Sequence, residues 1–440
     1  MKAGFAKIDI TPPLGAHLNG YYKIRVADHV IEPLYASAVA YSDGENTVVT
    51  ISLDISEILQ VDTDYIRGEV ATRTGLPQEA VFIACTHPHT APVISEIRGF
   101  FKRDEAYYSI FVRKICDVAQ LAIQDMKEAK AYIARAQAKG ISFVRRFRMK
   151  DGSCCTNPKP EQRDDILEPI GTPDETVQLV KLKRDGAADI AIVNFGTHPD
   201  VIGGTGICPD WPGYLRDNLE RALADEANGM GVRVIFFNGA QGDVIHLDRA
   251  SKVKLGGVTH SRHMGRVLAG AVLSVYTYAE EIDSSKVFYK QKYATVNLNK
   301  GTEEQVKWAH ILDERYIRDD LPDGFVFNDI VRARRYIRLE LKDATDELNI
   351  VCVGFGNVAF VGLPGEPFTE IGRQIKARSP FRITLPCCNA NGSEGYFVTD
   401  DALMEDGYES TSTLFKPGVA NTMIHKSLEI LDELKKEIEQ

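Results

Sequence analysis

Two short motifs place histidines directly after apolar segments of the sequence. Residues 81–85 lead into THPH at 86–89, and residues 190–195 lead into THPD at 197–200. His87 and His89 are two apart, a spacing that directs both imidazoles to the same side of an extended chain. Imidazole nitrogen suits zinc, which in catalytic sites takes three protein ligands and a water. Each histidine alone could be an ordinary core or capping residue, but a repeated THP context among ten histidines favours a metal site at His87 and His198.

A carboxylate is the expected third ligand, and Glu366 in LPGEPF at 363–368 is a candidate. The apolar segment 358–361 ends at a Pro-Gly turn, and Pro367 is predicted at the first position of a helix. Glu366 then lies where turn and helix meet. There it either faces a ligand crevice or only complements the helix dipole, and the residues alone leave both interpretations open.

Strands and helices must position these motifs, and the pattern of apolar residues predicts where those elements lie. Short apolar segments predict strands, and amphipathic periods between them predict helices, so the sequence indicates an α/β class with mixed sheets flanked by helices. Polar motifs follow four of the strands, and in α/β folds the carboxyl ends of strands form the ligand crevice. Predicted strands cover 36–41, 47–53, 80–84, 190–195, 233–237, 350–353, 358–361 and 382–385, and predicted helices cover 61–73, 107–127, 212–227, 262–279, 303–314, 368–376 and 421–436.

Composition bounds the class of protein. The chain has 440 residues, 44% of them hydrophobic, and no linker-like tract, which indicates one domain over 1–440 or two lobes, about 1–285 and 286–440, sharing one core. A net charge of -10, with one short basic cluster at 145–148, argues against a nucleic-acid partner. Without a membrane-length apolar run or a signal peptide, we expect a cytoplasmic protein with no stable membrane insertion, whose eight scattered cysteines are reduced. Its expected partner is a small-molecule substrate, and a homo-oligomer is compatible with the sequence.

Six motifs together carry a family resemblance. In chain order they are DITPPLG at 9–15, NGY at 19–21, THPH at 86–89, GDV at 242–244, LPGE at 363–366 and ESTSTL at 409–414. In this combination and order the chain resembles the catalytic domain of the neutral (non-lysosomal) ceramidase family. The resemblance implies a ceramidase-like α/β catalytic domain that holds one zinc ion at the carboxyl ends of its strands.

The same resemblance implies a role for each matching site residue. The zinc ligands it implies are His87, His198, Glu366 and Tyr396. Beside the metal it implies a partner histidine at His89 and a second tyrosine at Tyr408. It also implies an arginine that stabilises the oxyanion, at Arg145 or, as a close competitor, at Arg146.

Two departures from the family bear on the reaction and the substrate. Where the family has a serine after Gly-Asp-Val, this chain has Ile245, which disfavours a serine acyl-enzyme. The family's C-terminal immunoglobulin-like domain is also not expected, because the predicted helix 421–436 closes the sequence. A small soluble substrate is therefore expected rather than membrane ceramide.

The expected activity is zinc-dependent hydrolysis of a linear amide, an N-acyl bond, by metal-activated water. Arg145 or Tyr408 would stabilise the oxyanion, and His89 would pass a proton to the leaving amine. One alternative is a hydrolase of a polar ester, lactone or sugar derivative, because polar residues crowd the predicted crevice. Another is a noncatalytic, metal-stabilised binding protein, which predicts a closed coordination sphere. The crowding residues are Asp54, Asp200, Asp210, Asn238 and Asp243.

Overall fold

A computed structural model describes residues 1–96, 101–253, 255–405 and 407–439. The helices in these ranges are α1 (Gln60–Thr74), α2 (Glu105–Gln124), α3 (Asp210–Ala222), α4 (Glu226–Gly229), α5 (Gly257–Tyr276), α6 (Glu303–Ile317), α7 (Phe327–Leu339), α8 (Thr369–Arg378), α9 (Asp400–Leu403), α10 (Tyr408–Ser412) and α11 (Val419–Ile438). Two short 3-10 turns, Gln78–Ala80 and Pro160–Asp165, accompany them.

The strands, in chain order, are β1 (Lys2–Asp9), β2 (His17–Leu18), β3 (Arg25–Val26), β4 (His29–Val30), β5 (Tyr35–Ser42), β6 (Thr47–Leu53), β7 (Val81–Cys85), β8 (Lys127–Gln137), β9 (Phe143–Val144), β10 (Arg146–Met149), β11 (Cys154–Thr156), β12 (Ile166–Pro169), β13 (Thr176–Arg184), β14 (Asp189–Phe195), β15 (Gly206–Ile207), β16 (Val232–Asn238), β17 (Val244–Ile245), β18 (Glu280–Ile282), β19 (Val287–Asn297), β20 (Thr345–Phe355), β21 (Val358–Gly362), β22 (Glu366–Pro367), β23 (Ile383–Cys387) and β24 (Tyr396–Phe397).

Two mixed sheets form the framework. The larger has nine strands in the order β16-β14-β13-β8-β1-β5-β6-β7, with β18 also pairing with β8. The smaller has the order β19-β20-β21-β23. Parallel pairs, β6 with β7, β14 with β16 and β21 with β23, occur where the strands are buried on both faces, as expected of parallel sheet.

The larger sheet curves until its two edge strands approach each other. The rings of Phe82 on β7 and Phe237 on β16 lie 6.1 Å apart, although these strands end the sheet at opposite sides. The chain leaving β23 joins both edges, because the Cys388 amide donates to the Asn238 carbonyl at 2.9 Å and the Cys85 amide donates to the Asn389 carbonyl at 3.1 Å. The carboxyl ends of β7, β16 and β23 therefore converge on one place.

Apolar clusters hold the layers in register. One cluster combines buried side chains of both sheets, among them Val39, Phe82, Ile190, Val353 and Phe360. Helices α1 and α2 cover one face of the larger sheet, α3 and α5 cover the part around β14 and β16, and α8 and α11 cover the smaller sheet. Since each fully buried large side chain contributes roughly 1.5–3 kcal/mol, this burial stabilises the framework that carries the strand ends.

The predicted α/β class with mixed sheets flanked by helices is confirmed, and two boundaries are corrected. Helix α8 begins at Thr369, so Pro367 is not in a helix as predicted but in the short strand β22. Helix α3 ends at Ala222 rather than near 227. The eight cysteines all lie within the described ranges and are free. Among the described helices, none combines the length and apolar composition that crossing a membrane requires.

A buried ion pair anchors the end of β6 to α3. Asp54 and Arg216 have side-chain exposures of 0% and 5%, and an Arg216 guanidinium nitrogen donates to Asp54 Oδ1 at 2.8 Å. Asp54 also accepts the hydroxyl of Thr86 at 3.2 Å and the amide of Tyr35 at 2.9 Å. Because Thr86 directly precedes His87, this ion pair fixes the backbone from which the first predicted ligand projects.

Replacing Arg216 with methionine should lower the free energy of unfolding by about 3–5 kcal/mol, because it leaves the Asp54 carboxylate buried without its partner. Urea denaturation followed by fluorescence measures the loss. The matched control is Arg73→Met, which breaks the exposed Arg73–Asp117 pair and should cost less than about 1 kcal/mol. Equal effects of the two substitutions would contradict the anchoring role of the buried pair.

Candidate metal centre

His87 leaves the end of β7 with its imidazole already oriented. Its Nδ1 donates to the Ser56 carbonyl at 2.6 Å, and the Asn389 side chain lies 3.1 Å from the same atom. A carbonyl only accepts, so the proton is on Nδ1 and the lone pair is on Nε2. The backbone of His87 has φ 74°, a left-handed conformation that costs energy in a residue other than glycine and is enriched at functional sites.

His198 follows β14 and has the same arrangement. Its Nδ1 faces the carbonyls of Gln241 at 2.9 Å and Val244 at 3.0 Å, which again leaves the Nε2 lone pair free. Burial and the nearby positive charge of Arg145 lower the pKa of His198 to about 4. The ring is therefore neutral at neutral pH, as a metal ligand must be.

Glu366 is positioned by strand pairing rather than by a helix. Strand β22 pairs in parallel with β24, opposing Glu366 to Tyr396, and the Glu366 amide donates to the Gly395 carbonyl at 2.9 Å. Glu366 Oε2 lies 2.9 Å from His198 Nε2 and 3.6 Å from His87 Nε2. Burial alone would raise the pKa of Glu366, but His87, His198 and Arg145 outweigh it and lower the pKa to about 2.

The three groups fit a metal ion. Glu366 Oε2 and His198 Nε2 are buried and without a hydrogen bond despite their short separation. Buried polar atoms are almost always paired, and both histidines are held through Nδ1 as in protein metal sites. Nitrogen and carboxylate oxygen together are donors that zinc accepts. Tyr396 lies beside them, its ring stacked on His198 with a centroid distance of 6.5 Å.

His89 lies between the metal ligands and an acidic residue. Its Nε2 is 3.3 Å from His87 Nε2, and its Nδ1 is 3.4 Å from Asp200 Oδ1. Asp200 in turn accepts a short hydrogen bond from the hydroxyl of Tyr21. Burial, followed by the neighbouring imidazoles of His87 and His198, holds the pKa of His89 well below its usual value. The ligand nitrogens of the three histidines lie within 4.8 Å of one another, so the geometry also offers His89 as a third nitrogen ligand.

The two adjacent arginines have different surroundings. Arg145 lies against both site tyrosines, with its Cζ 5.3 Å from the Tyr396 ring centre and 5.8 Å from that of Tyr408. Its Nε pairs with Glu409 at 2.6 Å, and another nitrogen donates to the Gly242 carbonyl at 2.6 Å. Arg146 instead donates to Glu405 at 2.9 Å and lies over the ring of Phe368. Of the two, Arg145 is the arginine beside Tyr396.

Tyr396 and Tyr408 are brought together by the segment between β24 and α10, which contains the short helix α9. Their ring centres are 5.8 Å apart at a steep angle. Burial, with the nearby Glu366 carboxylate, raises the pKa of Tyr396 well above its usual value, whereas Arg145 opposes the rise. Burial likewise raises the pKa of Tyr408, together with the neighbouring Tyr22. In this arrangement burial favours the protonated form of both phenols.

The Gly-Asp-Val segment ties several of these groups to one loop. Gly242 packs so closely on Glu366 that a Cβ there would lie 2.6 Å from the Glu366 carbonyl oxygen. Asp243 accepts from the Thr369 amide at 2.7 Å at the start of α8, and Val244 accepts from His198. The motif therefore positions other site residues, a role that does not require a serine at position 245, where this chain has isoleucine.

Asn238 bridges the two THP motifs. Its side-chain amide faces the Thr86 carbonyl at 3.1 Å and the Thr197 carbonyl at 3.3 Å. Asp210 accepts from the amides of Val201 and Ile202 just after the second motif. Asn238 and Asp210, which were predicted to line the crevice, therefore bond to backbone groups and fix the position of the loops. The sequence alone predicted no role for Ser56, Asn389 or Glu409, although Glu409 begins the ESTSTL motif.

A cavity of about 160 Å³ opens on the centre, lined by His87, His89, Glu366, Tyr396 and Tyr408 among others. A wider pocket of about 1020 Å³ adjoins it and shares His89, Tyr396 and Tyr408 with it. Arg145 and Asp200 line this outer pocket. The candidate centre is therefore reached from outside and bordered by an inner space that a small molecule could fill.

Comparisons with known proteins show the fold. No protein-family model and no curated protein matches the sequence. Among solved structures, the chain is similar to a neutral ceramidase from Pseudomonas aeruginosa, with TM-score 0.73 and 16% identity over 99% of this chain and 74% of that one. It is also similar to a ceramidase complexed with C2, with TM-score 0.74 and 16% identity over 99% and 75% of the two chains. The chain has a neutral ceramidase-like fold, as its motifs predicted.

Proposed function

We propose that this protein is a zinc-dependent hydrolase that cleaves an amide, an N-acyl bond, in a small soluble substrate. One zinc ion per chain would be held by four ligands, His87, His198, Glu366 and Tyr396. The observation that carries the proposal is the buried pair of imidazoles, each fixed through Nδ1 by backbone carbonyls, around a carboxylate oxygen without a hydrogen bond. Arrangements of this kind hold catalytic metals.

Zinc bound there would polarise the substrate carbonyl and lower the pKa of a water molecule at the site. The chain's own residues supply the remaining chemistry. His89 transfers the proton to the leaving amine, since its Nε2 faces the centre and Asp200 Oδ1 lies 3.4 Å from its Nδ1. Arg145 and Tyr408 border the centre and stabilise negative charge on the carbonyl oxygen. Arg145 is preferred to Arg146 because Arg145 lies against both site tyrosines and lines the outer pocket, whereas Arg146 lies over Phe368.

Both the fold and the cavity support this assignment. Two of the similar solved structures are named as ceramidases, which supports the amide-hydrolase class that we propose for this chain. Polar side chains such as Asn19 and Glu57 line the inner cavity beside the apolar Val331 and Leu414. This mixed lining suits a small, partly polar substrate better than a long sphingoid chain. It also favours one second candidate, hydrolysis of a polar ester, lactone or sugar derivative by the same groups.

Two further parts of the proposal rest on the sequence. A cytoplasmic location is proposed because the eight cysteines are scattered rather than arranged as a disulfide framework, and a single catalytic domain is proposed because no linker-like tract divides the residues. A noncatalytic, metal-stabilised protein is a weaker interpretation, because it requires a closed coordination sphere, whereas a cavity opens on this centre.

Purified protein should contain about one zinc ion per chain by mass spectrometry of the metal. His87→Ala and His198→Ala should each lose most of it, because each removes a ligand and loss of even a supporting group costs about 10–100-fold in metal affinity. The matched control is His425→Ala, an exposed histidine on α11, which should keep the full zinc content. Zinc content that is unchanged in both ligand variants would contradict the proposed ligand set.

His89→Gln separates proton transfer from metal binding. We expect this variant to retain about one zinc per chain while kcat for an N-acyl substrate falls by about 10²–10⁴-fold. Turnover of a small library of N-acyl amines, with metal content measured on the same samples, checks both parts. Loss of zinc in this variant would instead make His89 a ligand, and full activity of chelator-stripped protein would exclude a zinc-dependent reaction.

A further inference from the structure

Helix α7 presents three arginines to the inner cavity, and two of them have acidic partners. Arg334 donates to Asp313 at 2.9 Å, and Arg338 donates to Glu394 at 3.0 Å. Both pairs are largely buried, so their charges are balanced within the protein. The third, Arg335, lines the same cavity as His87 and Glu366.

Arg335 is buried with 9% exposure, yet its hydrogen-bond and ring partners in the described part of the chain are uncharged. One guanidinium nitrogen donates to the Thr411 carbonyl at 2.9 Å, and its Cζ lies 4.8 Å from the ring centre of Tyr336. Its Nε has no hydrogen-bond partner. Within the described residues, the arginines of α7 that form ion pairs are Arg332, Arg334 and Arg338, and Arg335 is in none of these pairs. Burial lowers the pKa of Arg335, and neighbouring Arg332 adds to that effect.

Two acidic residues line the cavity, and neither forms an ion pair with Arg335: Glu366 belongs to the metal centre, and Glu57 is engaged elsewhere. Glu57 accepts from the Asn19 side chain at 2.9 Å and from the Ser393 hydroxyl at 3.4 Å, on the side of Ser56 and His87. An unpaired guanidinium is costly to bury, because an ion leaving water needs both a counter-charge and hydrogen bonds. In a cavity beside a catalytic centre, that counter-charge is a property expected of the ligand.

We propose that Arg335 binds a carboxylate of the substrate, so that the substrate class is an N-acyl compound carrying one carboxylate. This inference rests on the proposed hydrolase function. A guanidinium is planar and matches a carboxylate, and one uncompensated positive charge matches a monoanion rather than a phosphate dianion. Val331 and Leu414 line the same cavity, which suits an apolar spacer between the carboxylate and the amide.

Two matched pairs of compounds test the proposal on zinc-loaded protein. N-acetyl-6-aminohexanoate is compared with its primary amide, and adipic acid monobutylamide is compared with its methyl ester, so that the carboxylate is tested on either side of the scissile bond. In at least one pair the acid should have about tenfold or higher kcat/KM, as expected of a charge-assisted hydrogen bond. Arg335→Gln should remove most of that preference, and Arg335→Lys should retain part of it.

The matched control is Arg332→Gln, a half-exposed arginine on the same helix paired with Asp329, which should keep the preference for the acid. Equal kcat/KM for acid and neutral compound in both pairs would overturn the inference and leave the hydrolase intact, as would a preference that survives in Arg335→Gln. If no compound is hydrolysed, the hydrolase proposal fails separately. Stabilisation by bound ligand then tests the carboxylate site alone. The acid should raise the melting temperature of the unmutated protein and of Arg332→Gln but not that of Arg335→Gln. Equal shifts in all three proteins would contradict the carboxylate site.

Discussion

Glu366 places a carboxylate among buried imidazoles, and its negative charge must be balanced within the protein because only 8% of the side chain is exposed. The positive charge of Arg145 contributes to this balance and helps to keep the pKa of Glu366 low. Arg145 is itself compensated by Glu409, which is fully buried. Each charged group therefore requires the next, and removing one leaves an ion in the interior. A metal cation placed among them would complete the balance and give the hydrogen-bond-free atoms a partner.

The fold makes this charge cluster by bringing strand ends together. The curvature of the nine-stranded sheet brings β7 close to β16, and the chain after β23 joins them through backbone hydrogen bonds. Asn238 then ties the carbonyls before both ligand histidines to one side chain. Many of the polar side chains at this edge bond to backbone groups and so keep the ligand positions fixed. The other residues that line the cavity can then determine the substrate.

Sequence reasoning predicted the parts of the site that are encoded locally. The repeated THP motif indicated His87 and His198, and strand-end logic made Glu366 a candidate. Tyr396 could not be derived this way, because its place depends on a pairing register with Glu366 across about 30 residues of chain. The same pairing explains the wrong helical assignment of Pro367.

Helix α7 was not predicted, because arginines occupy part of its buried face, where a helical period is expected to show apolar residues. Strands β8 and β13 were not predicted either, because charged residues between their apolar ones interrupt the continuous apolar runs that indicate buried strands.

The central claim is a zinc ion held by two histidines, a glutamate and a tyrosine. X-ray diffraction from crystals of the zinc-loaded protein, recorded on both sides of the zinc absorption edge, tests it most directly. The account predicts one anomalous peak per chain within about 2.0–2.2 Å of Nε2 of His87, Nε2 of His198 and a carboxylate oxygen of Glu366, with the Tyr396 oxygen as fourth ligand. A peak coordinated by His89 in place of Tyr396 would contradict the ligand set, and no peak at this centre would contradict the account as a whole.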